Sequence, residues 1–183
     1  MRIVGGRHKG RTIKGPVKAD HSKTRPTTDR VRESLFNIIA PHIRGANFLD
    51  LYAGTGAVGI EALSRGARSL TLVEKDRFMV KIIKDNLSSL GEEAEVLPLD
   101  VSKALENLRQ KDSKYDIIFA DPPYHLMVSP KLFELVEPIL IKGGLFVLEH
   151  SNKEKFTQDV LVDLRDYLYG ETTISLYMRE ELL

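Results

Sequence analysis

Residues 48–59 limit what this 183-residue chain can fold into more than any other stretch. Phe48, Leu49 and Leu51 read as a buried strand, with Asp50 set into it as a charge. Gly54 and Gly56 then permit a tight turn whose backbone can touch a ligand. A helix opens at Ala57 and runs through Ile60 and Leu63 to a stop at Arg65-Gly66. A second acid, Glu74, ends the next apolar run, residues 70–73. Strand, glycine turn, helix and acid together build a nucleotide-sized pocket at the carboxyl end of a parallel sheet.

Helix and strand patterns alternate around that stretch. Ahead of it, Val31, Leu35, Phe36, Ile38 and Ile39 fall on one helical face, behind a cap at Thr27 or Thr28 with Asp29 in the first turn. Behind it come a strand at 69–74, a helix at 76–90 with Phe78, Ile82, Ile83 and Leu87 inward, and a strand at 94–99. A helix at 101–108, a fully buried strand at 115–120 and a helix at 130–141, kinked or ended by Pro138, follow. A strand at 144–149 and a weaker helical stretch at 152–163 lead to residues 167–169 and 173–178, which suit a terminal antiparallel hairpin around Gly170-Glu171. In residues 1–18, Ile3 and Val4 pair with Thr12 and Ile13 around a glycine-rich turn. The expected class is α/β: a doubly wound, mostly parallel seven-stranded sheet with a C-terminal antiparallel hairpin and a small N-terminal β-hairpin.

Composition removes several function classes. The chain has no cysteine, which excludes disulfides and thiolate or zinc–thiolate chemistry, and its five histidines are too scattered to make a metal pair. No metal is expected. No apolar run approaches the roughly 20 residues that span a bilayer, and the N-terminus lacks a signal-peptide core, so the expected location is cytoplasmic, away from membranes. The net charge of +1 hides an asymmetry: residues 1–46 hold eleven Lys/Arg against three Asp/Glu, the remainder sixteen against twenty-three. A basic leader on a mildly acidic body suggests a polyanion-binding element. Residues 1–20 read as a basic arm for RNA, with Arg2, Arg7, Lys9, Arg11 and Lys14 as phosphate contacts, and residues 21–183 as the body. The alternative, a solvated terminus, sits less well with the shaped turn that Gly5, Gly6 and Gly10 imply. Arg25, in the loop before the first helix, joins the candidate RNA contacts.

The Gly54-x-Gly56-x-x-Gly59 spacing matches the dinucleotide fingerprint, and Glu74 stands where an acid binds ribose hydroxyls. Asp50 argues against a pyrophosphate in that turn. A donor carrying a sulfonium and an α-ammonium, S-adenosylmethionine, suits a carboxylate there, with Tyr52, Gly54 and Gly56 forming the turn around it. The competing reading, Asp50 as a helix or turn cap, ranks lower because a buried carboxylate without a partner is costly. Asp100 fits an adenine amino group, with the Val101 amide at a ring nitrogen, and equally fits an N-cap. Asp121-Pro122-Pro123-Tyr124 is the most specific feature. Two prolines after a buried strand fix an extended backbone that aims the Asp121 carboxylate and Pro122 carbonyl into one space, beside the flat face of Tyr124. Two acceptors and a ring suit a planar amine on an aromatic base, and Asp121 can stabilise the charge that develops on its nitrogen. A strand terminator with a capping Asp and a packed Tyr is the bland alternative.

At these residues the chain resembles a known family. It looks like a class I, Rossmann-like S-adenosylmethionine-dependent methyltransferase, and is most similar to the bacterial small-subunit (16S) rRNA guanine-N2 methyltransferases. The resemblance rests on residues 2–6 and 10–11, on 24–37, on 49–56 with 61–67, and on 121–124. It implies cofactor contacts at Asp50, Gly54, Gly56, Glu74 and Asp100, base contacts at Asp121, Pro122 and Tyr124, and 16S rRNA contacts from the basic hairpin. The implied reaction is methyl transfer to a guanine N2 amine, releasing S-adenosylhomocysteine without a metal. The implied substrate is 16S rRNA or the small-subunit particle, and the expected state is a monomer. Rival expectations are an adenine-N6 methyltransferase on RNA or DNA, an NAD-dependent oxidoreductase, and a non-catalytic RNA-binding module.

Overall fold

A computed structural model of the chain describes residues 1–16, 29–123 and 128–180. Its elements in order are α1 (Asp29–Ile43), β1 (Asn47–Leu51), α2 (Ala57–Ser64), β2 (Ser69–Val73), α3 (Arg77–Leu90), β3 (Glu95–Leu97), α4 (Val101–Gln110), β4 (Tyr115–Ala120), α5 (Pro130–Val136), β5 (Leu140–Ser151), β6 (Val162–Tyr169) and β7 (Thr172–Met178). The strands form one seven-stranded sheet in the order β3-β2-β1-β4-β5-β7-β6. Strands β1 to β5 are parallel, while β7 runs antiparallel to β5 and β6. This is the Rossmann-like, mostly parallel sheet with an antiparallel terminal hairpin that the pattern predicts.

Side chains alternate across the strands and build a core on each face. Phe48, Leu70, Ile117 and Val147 join one cluster with α1, α2 and α3; Leu49, Leu51, Ile118 and Phe146 join a second with α4 and α5. Burial on both faces explains why β1 and β4 read as nearly continuous apolar runs. The chain order reverses between β1 and β4, whose carboxyl ends are level, with Leu51 beside Ala120. A crevice opens there by topology alone.

Several expectations need correction. Phe78 is not inward: it is 59% exposed in the first turn of α3, leaving roughly 1–2 kcal/mol of burial unrealised. Helical side chains lean toward the N-terminus, so a first-turn residue overhangs the helix end rather than the sheet. Residues 152–161 are not helical. Gln158 takes up backbone groups there, its Oε1 accepting from Val160 N (3.0 Å) and Leu161 N (2.8 Å), and pairing with β7 then draws residues from Val162 onward into β6. The helix expected at 130–141 stops at Val136 and tightens into a 3-10 turn, Glu137–Ile139, around Pro138. At the N-terminus the bridge pairs Arg2 with Thr12, two residues from the expected pairing of Ile3 and Val4 with Thr12 and Ile13. That register turns Ile3 and Ile13 into the core, each 2% exposed. Expectations at Arg25, Thr27, Thr28 and Tyr124 lie outside the described residues.

The N-terminal hairpin is bound to the body by a buried ionic cluster that the helical pattern does not announce. Arg32 of α1 is 1% exposed and Glu61 of α2 is 0% exposed. Arg32 Nε donates to Glu61 Oε2 (2.8 Å), and its Nη2 donates to the Arg2 carbonyl and to Asp29 Oδ1 (3.0 Å). Arg65 donates to the other Glu61 oxygen through Nε (3.0 Å) and Nη2 (2.8 Å), and its guanidinium sits 4.9 Å from the centre of the Phe36 ring. Removing one partner of a buried pair strands the other charge. Glu61→Ala is therefore expected to destabilise by about 3–5 kcal/mol. Arg65→Ala, which leaves the Arg32–Glu61 bond in place, should cost less. Urea denaturation of both variants checks the order.

Candidate active site

A cleft of about 750 Å³ opens at the β1–β4 crevice, within the roughly 300–1,000 Å³ of small-molecule sites. Its wall includes Asp50, Tyr52, Gly54, Glu74, Asp100, Val101, Asp121 and Pro122. Gly56 does not line it. This glycine faces the interior, where a Cβ would lie 3.2–3.3 Å from Leu72, Ile60 and Ile83. The exposed side chains of Arg2, Arg7, Lys9, Arg11 and Lys14 do not line it either. Tyr124 and Arg25 lie outside the described residues.

Asp50 is the electrostatic centre. It is 1% exposed, and its Oδ2 accepts a 2.8 Å bond from Gly59 N in the first turn of α2. The capping reading thus holds as a contact, reached from the strand rather than from the N-cap position. Gly59 has no room for a side chain, since a Cβ would stand 2.8 Å from Leu70 Cδ1 and 3.1 Å from Asp50 Oδ2. Burial pushes the Asp50 carboxyl up to about 8; the Gly59 bond works against this, while the nearby charges of Asp121 and Glu74 add to it. A cation in the cleft would restore the ionised form, whereas a pyrophosphate would suppress it further.

The turn after β1 is held from outside. Tyr52 takes φ 59°, a left-handed conformation that costs a non-glycine residue on the order of 1–3 kcal/mol, and Gly54 and Gly56 follow at 57° and 78°. Burial raises the Tyr52 hydroxyl pKa, with Asp100 adding to it. Glu74 braces the turn: Oε2 accepts from Gly54 N (2.9 Å) and Oε1 from Asp76 N (2.8 Å). Each carboxylate oxygen keeps a second lone pair for a ligand. Asn86 of α3, buried, donates to Thr55 O (3.1 Å) from beneath. Asp100 serves as the N-cap of α4, accepting from Ser102 N (3.0 Å), and lines the cleft as well.

Sequence reading missed part of the wall. Met79 and Asp76 come from the start of α3, Val128, Leu132 and Leu135 from the segment after the double proline, and Met1, Pro16 and Arg32 from the N-terminal side. The only signal for the first pair was their closeness to Glu74. The N-terminal residues reach the cleft through contacts distant in sequence, such as the Arg32 guanidinium on the Arg2 carbonyl. Among the described residues no three or more His, Asp or Glu side chains gather as a metal site would, and no helix is long and apolar enough to cross a membrane.

Comparison with known proteins places the chain in a family. The family described as conserved hypothetical protein 95 covers residues 1–178. Ribosomal RNA small subunit methyltransferase D of Escherichia coli K12 is 43% identical over 186 residues, spanning 98% of this chain and 90% of the relative. A Bacillus subtilis protein provisionally named an rRNA methyltransferase is 36% identical over 185 residues, spanning 98% of this chain and 99% of the relative. A solved structure from Escherichia coli, provisionally described as a methyltransferase, superposes with a TM-score of 0.85 at 34% identity, covering 100% of this chain and 99% of that one. Fold and near full-length similarity agree, and the chain belongs to the conserved hypothetical protein 95 family, alongside the small-subunit rRNA methyltransferases to which it is similar over nearly its whole length.

Proposed function

We propose that this protein transfers a methyl group from S-adenosylmethionine to the exocyclic N2 amine of one guanine in small-subunit (16S) rRNA, acting in the cytoplasm as a monomer. The observation that carries the reading is the convergence on one cleft of the buried Asp50, the Gly54 turn and the Asp121-Pro122 corner, from the adjacent strands β1 and β4. Names of the relatives support rRNA as the substrate. The guanine amine rests on the chemistry of the corner and on the resemblance.

The residues present fit the cofactor. When bound, S-adenosylmethionine supplies a methyl group made electrophilic by its positive sulfur. Asp50 meets the positive charge of the donor, Glu74 offers its remaining lone pairs to ribose hydroxyls, and Asp100 with the Val101 amide takes the adenine edge. Asp121 and the Pro122 carbonyl accept the two amine hydrogens of the target base, and Tyr124 stacks on its ring. Holding both hydrogens bares the nitrogen lone pair for attack. Asp121 then stabilises the positive charge on the nitrogen and is placed to take the proton. Alignment of the two reactants in one cleft supplies much of the acceleration. Residues 1–20 serve as the phosphate-binding arm and residues 21–183 as the catalytic body. The target must leave any base stack to reach Asp121.

Labelled S-adenosylmethionine, incubated with small subunits or deproteinised rRNA from a strain lacking the activity, tests the reaction. N2-methylguanosine in the digest is expected; N6-methyladenosine would move the assignment to adenine, and no labelled nucleoside would sink it. Asp121→Asn is expected to lower transfer about 10²–10³-fold, the scale for losing one charge-stabilising group, with S-adenosylhomocysteine affinity retained. Lys9→Ala with Lys14→Ala should weaken rRNA binding and reduce its salt slope by about one per lost phosphate contact.

Asp50 generates a pH prediction. A carboxyl raised from 3.8 to about 8 keeps its proton in the folded state over a window where the unfolded chain has lost it. The folded state then binds more protons, so stability falls as pH rises from about 4 to about 8. Asp50→Asn, which keeps an acceptor for Gly59, should remove that decline and raise Tm at pH 8 by several degrees. Cofactor binding should respond in the opposite sense: wild-type affinity strengthens up to about pH 8 relative to Asp50→Asn, because binding a cation needs the ionised carboxylate. Parallel calorimetric titrations of both proteins cancel the ligand's own ionisation.

A further inference from the structure

Among the described residues Phe78 is the one exposed aromatic side chain, and none of the proposed steps uses it. Its position is built rather than frayed. The Asp76 carboxylate caps α3 by accepting from Phe78 N (2.8 Å) and Met79 N (3.1 Å), which fixes the backbone that carries the ring. Met79 and Asp76, its close neighbours in the chain, line the cleft. Phe78 therefore belongs to the first turn of α3, the turn that borders the cleft.

The surroundings are cationic. Lys75, Arg77, Lys81 and Lys84 are exposed on the same helix or just before it; Asp76 is occupied in the cap, and Asp85 is the opposing charge on α3. The N-terminal hairpin continues this surface. Arg11 Nη2 donates to Ser89 O (2.9 Å) near the far end of α3, and Lys14 N donates to Asn86 Oδ1 (2.9 Å) nearer its middle. Gly15 and Pro16 then reach the cleft wall. Residues 11–16 thus run along α3 toward its N-terminal end, which brings Arg11 and Lys14 beside the cations of the helix, while Arg7 is paired with Glu92 beyond the helix's other end (2.6 Å). A flat apolar ring at the end of a cationic strip is the combination that holds a single-stranded nucleic acid: cations follow the phosphates, and the ring takes an unstacked base.

We propose that Phe78, flanked by Arg77 and Lys81, is a stacking platform for an unpaired RNA base at the cleft rim, next to the nucleotide that enters the cleft. This rests on the RNA-methylating reading above and adds to it a second, base-contacting surface on the catalytic body. A base held there would keep the strand open on one side of the flipped target.

The test is fluorescence-anisotropy titration of a labelled single-stranded 12-nucleotide adenylate RNA and of deproteinised small-subunit rRNA, with wild type, Phe78→Ala, Phe78→Leu and Phe78→Trp. Phe78→Ala and Phe78→Leu are expected to weaken binding of the 12-mer roughly five- to a hundred-fold, while Phe78→Trp restores it. The salt slope, Tm and S-adenosylhomocysteine affinity should not move. Arg77→Ala should instead lower the salt slope by about one. Equal affinity of Phe78→Ala and wild type for both RNAs overturns the platform alone. Wild-type affinity in Phe78→Leu also overturns it, since any apolar side chain would then serve. A fall in Tm or in S-adenosylhomocysteine affinity that accounts for the RNA loss overturns it by showing that Phe78 supports the chain itself. If wild type binds neither RNA, the rRNA reading fails and the platform with it.

Discussion

A buried carboxylate in the middle of a parallel sheet is the constraint around which this protein is arranged. Asp50 has a hydrocarbon core on its own face of β1 and accepts a hydrogen bond from the Gly59 amide. The contact demands that α2 approach β1 closely, which the missing side chain of Gly59 makes possible. It also demands that the turn between them be tight enough to return the helix over the strand, which Tyr52, Gly54 and Gly56 achieve with three positive φ angles. An apolar residue at position 50 would satisfy the core and remove the electrostatic cost. The fold instead gathers Glu74 and Asp121 near the same carboxylate, which raises that cost. Such a wall makes sense as a receptor for positive charge, and the core on both faces of the sheet supplies the stability that carries it.

The sheet was legible because its strands are local signals. β1, β2, β4 and the central part of β5 are short runs that are mostly apolar on both faces, the pattern of buried parallel strands. The crevice was legible for the same reason: once β1 and β4 are recognised as parallel neighbours, the residues after them must meet. Failures came where a residue's state depends on partners distant in sequence. Residues 152–163 carry apolar side chains at a spacing that a helix accepts, yet the segment is claimed at one end by Gln158 turns and at the other by β7. Phe78 fits the margin of the α3 apolar face by periodicity, but the face it would cover has ended by the first turn.

The same distinction divides the site. That Asp50, Glu74, Asp100 and Asp121 line one cleft was legible because each ends or interrupts a strand at the carboxyl edge, a position readable from sequence. The brace that Glu74 applies to Gly54 was not, since ribose binding and turn support call for the same residue at the same place. Arg32 was invisible for a sharper reason. A cation on an amphipathic helix reads as solvated, and only the acid on α2, with the Arg2 carbonyl behind it, makes burial affordable.

These long-range contacts join the N-terminal hairpin to the chemistry. Asn86 exchanges hydrogen bonds with both backbone groups of Lys14, at 2.9 and 3.0 Å, and donates a third to Thr55 in the glycine turn. The arm and the turn are therefore positioned by one buried side chain. At the hairpin's other end, the Ser64 hydroxyl donates to Gly5 O (2.6 Å) and Ser64 O accepts from Arg7 N (2.8 Å), so the C-terminal end of α2 is held by the same segment whose register buries Ile3 and Ile13. A helix whose first turn holds Asp50 and whose last turn holds the hairpin fixes the distance between the proposed phosphate-binding arm and the cleft that Asp50 lines. Rigidity along that line is what a reaction between a large polyanion and a small charged donor requires, because a displacement of the arm relative to the turn would misalign the two reactants even with every contact residue in place.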